Sequence, residues 1–167
     1  MGNNKTKNIV LASMLAALCC VATMIIKVPS PLKGYLNLGD CVVLLSGFML
    51  SPVYGFLAAG IGSALADIFS GYIVYAPATF IIKGVMALVA YYGVKACDKK
   101  IGITVSRIIS GIAAEIIMVL GYFVFEGFMY GFIPSAVNIP ANAVQGVAGI
   151  ILGVVLAKIF DKSFKLL

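Results

Sequence analysis

Long apolar segments fill this chain, and short stretches rich in proline, glycine or charge separate them. Of the 167 residues, 62% are hydrophobic and only 11% are charged, whereas soluble domains average about 25% charged residues. Because a surface this poor in charge would aggregate in water, the sequence predicts a protein embedded in the lipid bilayer. Each acidic, basic or amide side chain inside an apolar segment then needs a structural or functional reason.

The breaks between the apolar segments predict the helices. A spanning helix needs about 20 residues, and prolines and charged clusters mark the helix ends. We expect an all-α integral membrane bundle of six transmembrane helices, forming a single domain over residues 1–167. The predicted helices cover approximately residues 8–26, 39–51, 53–69, 77–96, 104–125 and 138–160. The second is short, and residues 126–137 are expected to form a loop rich in glycine and aromatic residues.

The distribution of cations predicts the orientation. Six helices place both termini on one side of the membrane, together with nine basic residues: Lys5, Lys7, Lys95, Lys99, Lys100, Arg107, Lys158, Lys162 and Lys165. The opposite side has only Lys27 and Lys33. By the positive-inside rule both termini of this multi-pass membrane protein are predicted to be cytoplasmic. The net charge of +6 is therefore interpreted as an orientation signal and not as a nucleic-acid surface.

Missing residue types exclude several kinds of enzyme. The chain has no histidine, so a zinc protease or a Ser-His hydrolase is excluded. The four cysteines show no CxxC or metal-ligand spacing, which predicts apolar packing and no metal site. No GxxxxGK[ST] phosphate-binding loop is present. We therefore expect a protein that is not an enzyme.

Three amides in the last predicted helix form a polar stripe. Asn138, Asn142 and Gln145 are spaced i, i+4, i+7 and share one helix face. An amide surrounded by lipid is unfavourable unless it is hydrogen-bonded. The stripe either bonds neighbouring helices as a packing contact or lines a polar pocket for a ligand with donors and acceptors.

Charged residues inside the apolar segments are also candidates for function. Asp67 and Lys83 could reach one another across the hairpin of the third and fourth helices, either as an ion pair that sets helix register or as ligand contacts. Glu115 lies in the middle of the fifth helix and needs a partner or a proton. Asp40 and Glu126 lie at predicted helix ends, where we expect them to be solvated.

Several stretches, taken together, resemble one family of membrane proteins. They are residues 34–40, 50–56, 62–67 and 75–84, and the small pair Ala12 and Ala16 in the first helix. With these, essentially the whole chain resembles the substrate-binding S component of an energy-coupling factor (ECF) vitamin transporter. It is most similar to the branch that includes riboflavin, pyridoxine and hydroxymethylpyrimidine carriers.

The resemblance implies a function, partners and a binding site. It implies a high-affinity binding subunit in the plasma membrane of a prokaryote, whose transported ligand is a vitamin or precursor, with no other cofactor. Ala12 and Ala16 would dock on a membrane T subunit bound to two ATPases, which hydrolyse ATP. The implied ligand-binding residues are Asn37, Lys83, Tyr122, Asn138, Asn142 and Gln145. Because the chain lacks tryptophan, which argues against thiamine itself, ring stacking would fall to tyrosines such as Tyr72, Tyr75 and Tyr122.

Other classes of membrane protein remain as alternatives. A solitary proton-coupled secondary transporter would use Asp67 or Glu115 as its proton-binding acid, although no inverted repeat is visible. A membrane enzyme has little support without histidine or a paired-carboxylate motif. A purely structural subunit would not need the amide stripe. Uptake by this chain alone, without ATPase partners, would favour the secondary transporter.

Overall fold

The computed structural model describes residues 2–29 and 35–164, and most of these residues are helical. Lys33 and Lys165, both counted in the charge bias, lie outside the described residues. The helices, in chain order, are α1 (Gly2–Ile25), α2 (Gly39–Met49), α3 (Pro52–Phe69), α4 (Ala76–Ile101), α5 (Ile103–Tyr130), α6 (Phe132–Ala136) and α7 (Ile139–Phe164). Two short strands, β1 (Val28–Pro29) and β2 (Tyr35–Leu36), lie between α1 and α2.

Among the described residues, five helical segments are long and apolar enough to cross a membrane. They are Lys5–Ile25, Pro52–Phe69, Ala76–Ile101, Ile103–Tyr130 and Phe132–Lys162. Helical structure is the expected solution in lipid, because it pairs the backbone N–H and C=O groups within each segment. The remaining apolar helix, α2, has only 11 residues.

The short helix α2 forms the centre of the bundle. It packs against α1, α3, α4, α5 and α7, and every residue from Gly39 to Gly47 is buried. Glycines permit the closest contacts between helices: a Cβ atom at Gly47 would lie 2.5 Å from the Ala87 carbonyl oxygen of α4. At the α1–α3 contact, a Cβ atom at Gly62 would lie 2.4 Å from the Ala16 carbonyl oxygen.

A small antiparallel hairpin links α1 to α2. Val28 pairs with Leu36, and Pro29 pairs with Tyr35. The sequence predicted only a loop here, because two-residue strands leave no periodic pattern. The hairpin places Tyr35 beside the end of α3, where its hydroxyl reaches Asp67.

The predicted loop over residues 126–137 is wrong. Helix α5 continues to Tyr130, Gly131 alone separates it from α6, and α6 occupies most of the remaining segment. Gly127 lies within α5, and of the two glycines in this segment only Gly131 adopts a left-handed conformation, with φ of 93°. Helix α4 likewise continues five residues past its predicted end, to Ile101, before Gly102 turns the chain at φ of 79°.

Candidate ligand-binding site

A polar pocket lies at one end of the bundle, between the β1–β2 hairpin and the tops of α3, α4, α5 and α7; we call this the pocket end. Its walls carry hydroxyl, amide and carboxyl groups together with four tyrosine rings. The lining residues are Tyr35, Asn37, Asp67, Tyr72, Tyr75, Thr79, Tyr122, Glu126, Asn138, Asn142 and Gln145. At the opposite end, which we call the Arg107 end, Arg107 of α5 pairs with Asp161 of α7.

A continuous hydrogen-bond network forms the floor of the pocket. The Asn37 backbone N–H donates to Gln145 Oε1 at 2.8 Å, and Gln145 Nε2 donates to Asp40 Oδ2 at 2.7 Å. The ammonium group of Lys83 donates to the other oxygen of Asp40. Because Asp40 and Lys83 are 0% and 3% exposed, this ion pair lies in a region of low dielectric, where each partner depends on the other.

The ion pair expected between Asp67 and Lys83 is replaced by the pair between Lys83 and Asp40. The prediction relied on the α3–α4 hairpin, which brings neighbouring segments together. It did not foresee that α2 packs into the centre of the bundle and presents Asp40, the second residue of its first turn, to α4. Asp40 is accordingly buried and not solvated, contrary to the expectation for a helix end.

Asp67 forms part of one wall of the pocket with Tyr35 of β2 and Tyr72 of the α3–α4 loop. Its Oδ1 accepts a hydrogen bond from the Tyr35 hydroxyl at 2.7 Å. The Tyr35 and Tyr72 rings lie 4.7 Å apart, centroid to centroid. Burial, followed by the negative charge of Asp67, raises the pKa of the Tyr35 hydroxyl. Tyr35 therefore retains its proton and acts as a donor to Asp67.

Glu126 forms part of another wall, at the far end of α5. Asn138 Nδ2 donates to both of its carboxyl oxygens, at 3.0 and 2.9 Å, and the Tyr75 hydroxyl lies 3.4 Å from Oε1. Burial, and next the hydrogen bond with Tyr130, raise the pKa of Tyr75. Glu126 is 3% exposed, so the expected solvation is wrong; α5 continues past it, and α6 and α7 pack beside it.

Glu115 lies below the pocket, at the contact between α5 and α7. It is 5% exposed, and neither carboxyl oxygen has a hydrogen-bond partner. A Cβ atom at Gly149 would lie 2.8 Å from Glu115 Oε1 and 2.8 Å from Asp40 Cβ. Gly149 is therefore the position where α7 passes closest to both acids, and no larger residue fits there without displacement.

The structure places most of the sequence-predicted ligand residues in one pocket. Those that line it are Asn37, Tyr122, Asn138, Asn142 and Gln145. Lys83 lies beneath the lining, with its ammonium 5.5 Å from the centre of the Tyr122 ring. Asn138 and Gln145 have both of the roles considered for the amide stripe. They form hydrogen bonds with neighbouring segments, and they also line the pocket.

Three lining residues were missed as site residues: Tyr35, Thr79 and Glu126. Thr79 precedes Lys83 by one helical turn, and its hydroxyl lies 3.0 Å from that of Tyr122. This spacing was a signal that could have identified it. Tyr35 and Glu126 carry no such signal, because their positions depend on the hairpin and on the extension of α5.

Among the described residues, no group of three Cys, Asp or Glu side chains could hold a metal ion.

The small residues of α1 lie on a different surface, an apolar groove between α1 and α3. Ala12 is buried, Ala16 is partly buried against α3, and both contribute to the groove. Their neighbours Ser13 and Ala17 are exposed. A second small pair thus lies on the outward side of α1 at the same four-residue spacing.

Apolar helices of membrane-spanning length around a polar pocket define the class: a membrane-embedded binding protein. The sequence model of the family described as "ECF-type riboflavin transporter, S component" matches residues 3–162. The chain therefore belongs to the family of ECF transporter S components, which are substrate-binding transporter subunits.

Related sequences and solved structures agree with this assignment. An uncharacterized protein in the gap 3′ region of Pyrococcus woesei is 35% identical over 85% of this chain and 93% of its own length. The thiamine precursor transporter HmpT of Lactococcus lactis is 24% identical over 98% of this chain and 93% of its own length.

A solved S component of a bacterial ECF transporter superposes with a TM-score of 0.76 at 29% identity, covering 96% of this chain and 99% of that one. The S component for biotin from an ECF-type transporter gives a TM-score of 0.59 at 18% identity, covering 96% and 94%, and so shares the fold.

Proposed function

We propose that this chain captures a B-group vitamin or vitamin precursor, of the riboflavin, pyridoxine or hydroxymethylpyrimidine class, and delivers it to an ATP-driven ECF module. The observation that carries the proposal is the pocket, in which tyrosine rings, amides and carboxyl groups converge at one end of the bundle. The family match and the similarity to a thiamine precursor transporter support this range of ligands.

The chemistry of the lining fits a flat heterocycle with several donors and acceptors. Asn142 and Gln145 offer amide groups that both donate and accept. The rings of Tyr72, Tyr75 and Tyr122 offer stacking surfaces of the kind that bury aromatic ligands. The proposed binding residues remain Asn37, Lys83, Tyr122, Asn138, Asn142 and Gln145, with Lys83 acting from beneath the floor.

The pocket is narrow, with a free volume of about 40 Å³. A water molecule needs at least about 10–15 Å³ by the same measure, so the space suits a few waters. A vitamin would therefore enter only when side chains at the mouth rotate outward. Tyr35 and Tyr72, whose rings contact each other at a tilt of 48°, are the residues we expect to move.

The proposed orientation follows from the cation bias. The helices α1–α5 and α7 would form a membrane bundle of six, with both termini in the cytoplasm and the pocket opening to the outside of a prokaryotic cell. This direction suits a subunit that collects a scarce molecule from the surroundings. The T subunit and the two ATPases would then contribute the energy, and this chain would perform no catalysis.

Identification of the molecule that co-purifies with the protein, by mass spectrometry, tests the ligand proposal most directly. Calorimetry of the purified chain with riboflavin, pyridoxine and hydroxymethylpyrimidine then measures affinity for each class. Failure to bind any of the three would contradict the proposal. Proton-driven uptake by the chain alone, without ATPases, would instead support the solitary secondary transporter.

Docking of the T subunit is proposed for the α1 surface that contains Ala12 and Ala16. A tryptophan at Ala16 would collide with α3 as well as with a partner, because Ala16 lies against Gly62. Ala17→Trp is the sharper variant, since Ala17 is exposed and its replacement leaves the α1–α3 contact intact.

We expect both Ala16→Trp and Ala17→Trp to abolish co-purification with the T subunit, and Ala17→Trp to keep normal ligand affinity. Val144→Trp, on the exposed face of α7 (Val144 is 68% exposed), is the matched control and should co-purify normally. Co-purification of both α1 variants would rule out this surface as the docking site.

A further inference from the structure

The acidic and basic groups around the pocket are not balanced. Four buried acids surround it: Asp40, Asp67, Glu115 and Glu126 are 0%, 6%, 5% and 3% exposed. Lys83 is the one buried cation among the described residues at this end of the bundle. A buried carboxylate is unfavourable unless it is protonated or has a positive partner.

Lys83 cannot balance the two acids that line the pocket. Its ammonium is bonded to Asp40 beneath the floor. Asp67 on α3 and Glu126 on α5 are held by the neutral donors Tyr35 and Asn138, which satisfy some lone pairs without cancelling charge. A carboxylate has about four acceptor positions, so both acids can accept further hydrogen bonds from a ligand.

The other described cation near the pocket lies outside it. Lys27 is exposed at the mouth, donates to the Ser70 hydroxyl, and stands 5.5 Å from the centre of the Tyr35 ring. No lysine or arginine is among the residues that line the pocket in the described part of the chain. The interior is therefore acidic and aromatic.

Acidic groups beside tyrosine rings are the chemistry that recognises organic cations. The negative face of an aromatic ring attracts a cation within about 6 Å, and a carboxylate accepts strong, charge-assisted hydrogen bonds from an ammonium or protonated ring nitrogen. Tyr75 and Tyr72 lie together, with centroids 6.3 Å apart, and Tyr75 also contacts Glu126. The lining thus brings both elements into one small space.

We propose that the pocket selects a positively charged ligand: a flat heterocycle that carries an ammonium group or a protonated ring nitrogen, in its unphosphorylated form. This inference rests on the proposed vitamin-binding function and narrows it. The ligand's charge would supply the directly bonded cation that Asp67 and Glu126 lack among the described residues. A phosphate ester would bring its two negative charges next to the same acids and would be rejected.

Matched ligand pairs test the inference with the intact chain in detergent. Pyridoxamine and pyridoxine share a ring and differ by an aminomethyl against a hydroxymethyl group. The 5-aminomethyl and 5-hydroxymethyl forms of 4-amino-2-methylpyrimidine make a second pair. In at least one pair we expect the ammonium member to bind at least about tenfold more tightly than the hydroxyl member, as measured by calorimetry. This factor corresponds to the difference between a charged and a neutral hydrogen bond. The corresponding phosphate esters should bind more weakly than either member.

Charge-neutral variants connect the preference to the named acids. Asp67→Asn keeps an oxygen for the Tyr35 hydroxyl, and Glu126→Gln keeps the side-chain length. Each variant should bring the ratio of the affinities for the ammonium and hydroxyl members closer to one. Asp161→Asn at the Arg107 end removes a carboxylate far from the pocket and should leave the preference unchanged.

The outcomes separate the two proposals. If the neutral members bind as tightly as the ammonium members, or if both acid variants keep the wild-type ratio, the charge selection is wrong while vitamin binding stands. Equally tight binding of a phosphate ester also overturns it. If no member of either pair and no riboflavin binds, the proposed function itself fails.

Discussion

The two ends of the bundle each contain an ion pair, and the pairs differ in their surroundings. At the pocket end, Lys83 and Asp40 are 3% and 0% exposed, and Gln145 extends the pair to the pocket floor. At the Arg107 end, the two terminal guanidinium nitrogens of Arg107 donate to Asp161, at 2.6 and 3.0 Å, but Asp161 is 41% exposed.

The Lys83–Asp40 pair therefore belongs to a buried hydrogen-bond network, whereas the Arg107–Asp161 pair connects the ends of two helices. A fully buried charge that loses its partner has no water to replace it, whereas a half-exposed carboxylate is solvated when its partner is removed. The polar groups of the pocket end are therefore interdependent, whereas at the Arg107 end Asp161 depends little on its partner because it is half-exposed.

The largest effect is expected for Lys83→Met. This change leaves Asp40 buried without a counter-charge and should lower the free energy of unfolding by about 3–5 kcal/mol. The measurement is denaturant unfolding in detergent micelles. The double variant Lys83→Met with Asp40→Asn should recover most of the loss, because the unpaired charge is gone. A double variant as unstable as the single one would show that the charge pairing is not the cause.

A somewhat smaller loss is expected for Gly149→Ala. The new methyl group would lie 2.8 Å from both Asp40 Cβ and Glu115 Oε1, so the network must shift, at a cost of about 1–3 kcal/mol. Gly111→Ala in α5 is the matched control, since its nearest neighbour atom would be at an ordinary 3.4 Å. Equal melting temperatures for the two variants would contradict the close contact at Gly149.

A change confined to the pocket lining should alter binding and leave folding intact. Asn142→Leu removes an amide from the pocket and should weaken ligand binding by about 1 kcal/mol or more, the scale of one hydrogen bond. Calorimetry with the tightest-binding vitamin measures the loss, and the melting temperature without ligand is the control. Unchanged affinity would remove Asn142 from the proposed site.

The smallest effect is expected at the Arg107 end. Arg107→Met should lower the free energy of unfolding by about 1 kcal/mol or less, because Asp161 becomes solvated. The same denaturant series used for Lys83→Met gives the comparison. Equal losses for the two variants would mean that burial does not distinguish the two ion pairs.

The sequence predicted those parts of the molecule that depend on local pattern. Apolar length indicated the helices, and the i, i+4, i+7 spacing placed Asn138, Asn142 and Gln145 on one face, which the structure directs into a single pocket. Such inferences succeed because helix geometry fixes which residues share a face.

The sequence could not predict contacts that depend on how distant segments pack. Lys83 was assigned to Asp67 in the adjacent helix, but its partner is Asp40, 43 positions away. Glu126 was expected to be solvated because its burial requires α5 to continue beyond it. Tyr35 enters the pocket through a hairpin of two residue pairs, which is too short to leave a pattern.

The shortness of α2 has a consequence for the depth of the molecule. At about 1.5 Å per residue, its 11 residues extend about 16 Å, roughly half of a hydrocarbon layer about 30 Å thick. The surrounding helices α1, α3, α4, α5 and α7 are longer, so the column above the first turn of α2 contains no helix in the described part of the chain. The pocket occupies that column, and Asp40 marks its base. If α2 began two turns earlier, the added helix would fill this space and leave no pocket for a ligand.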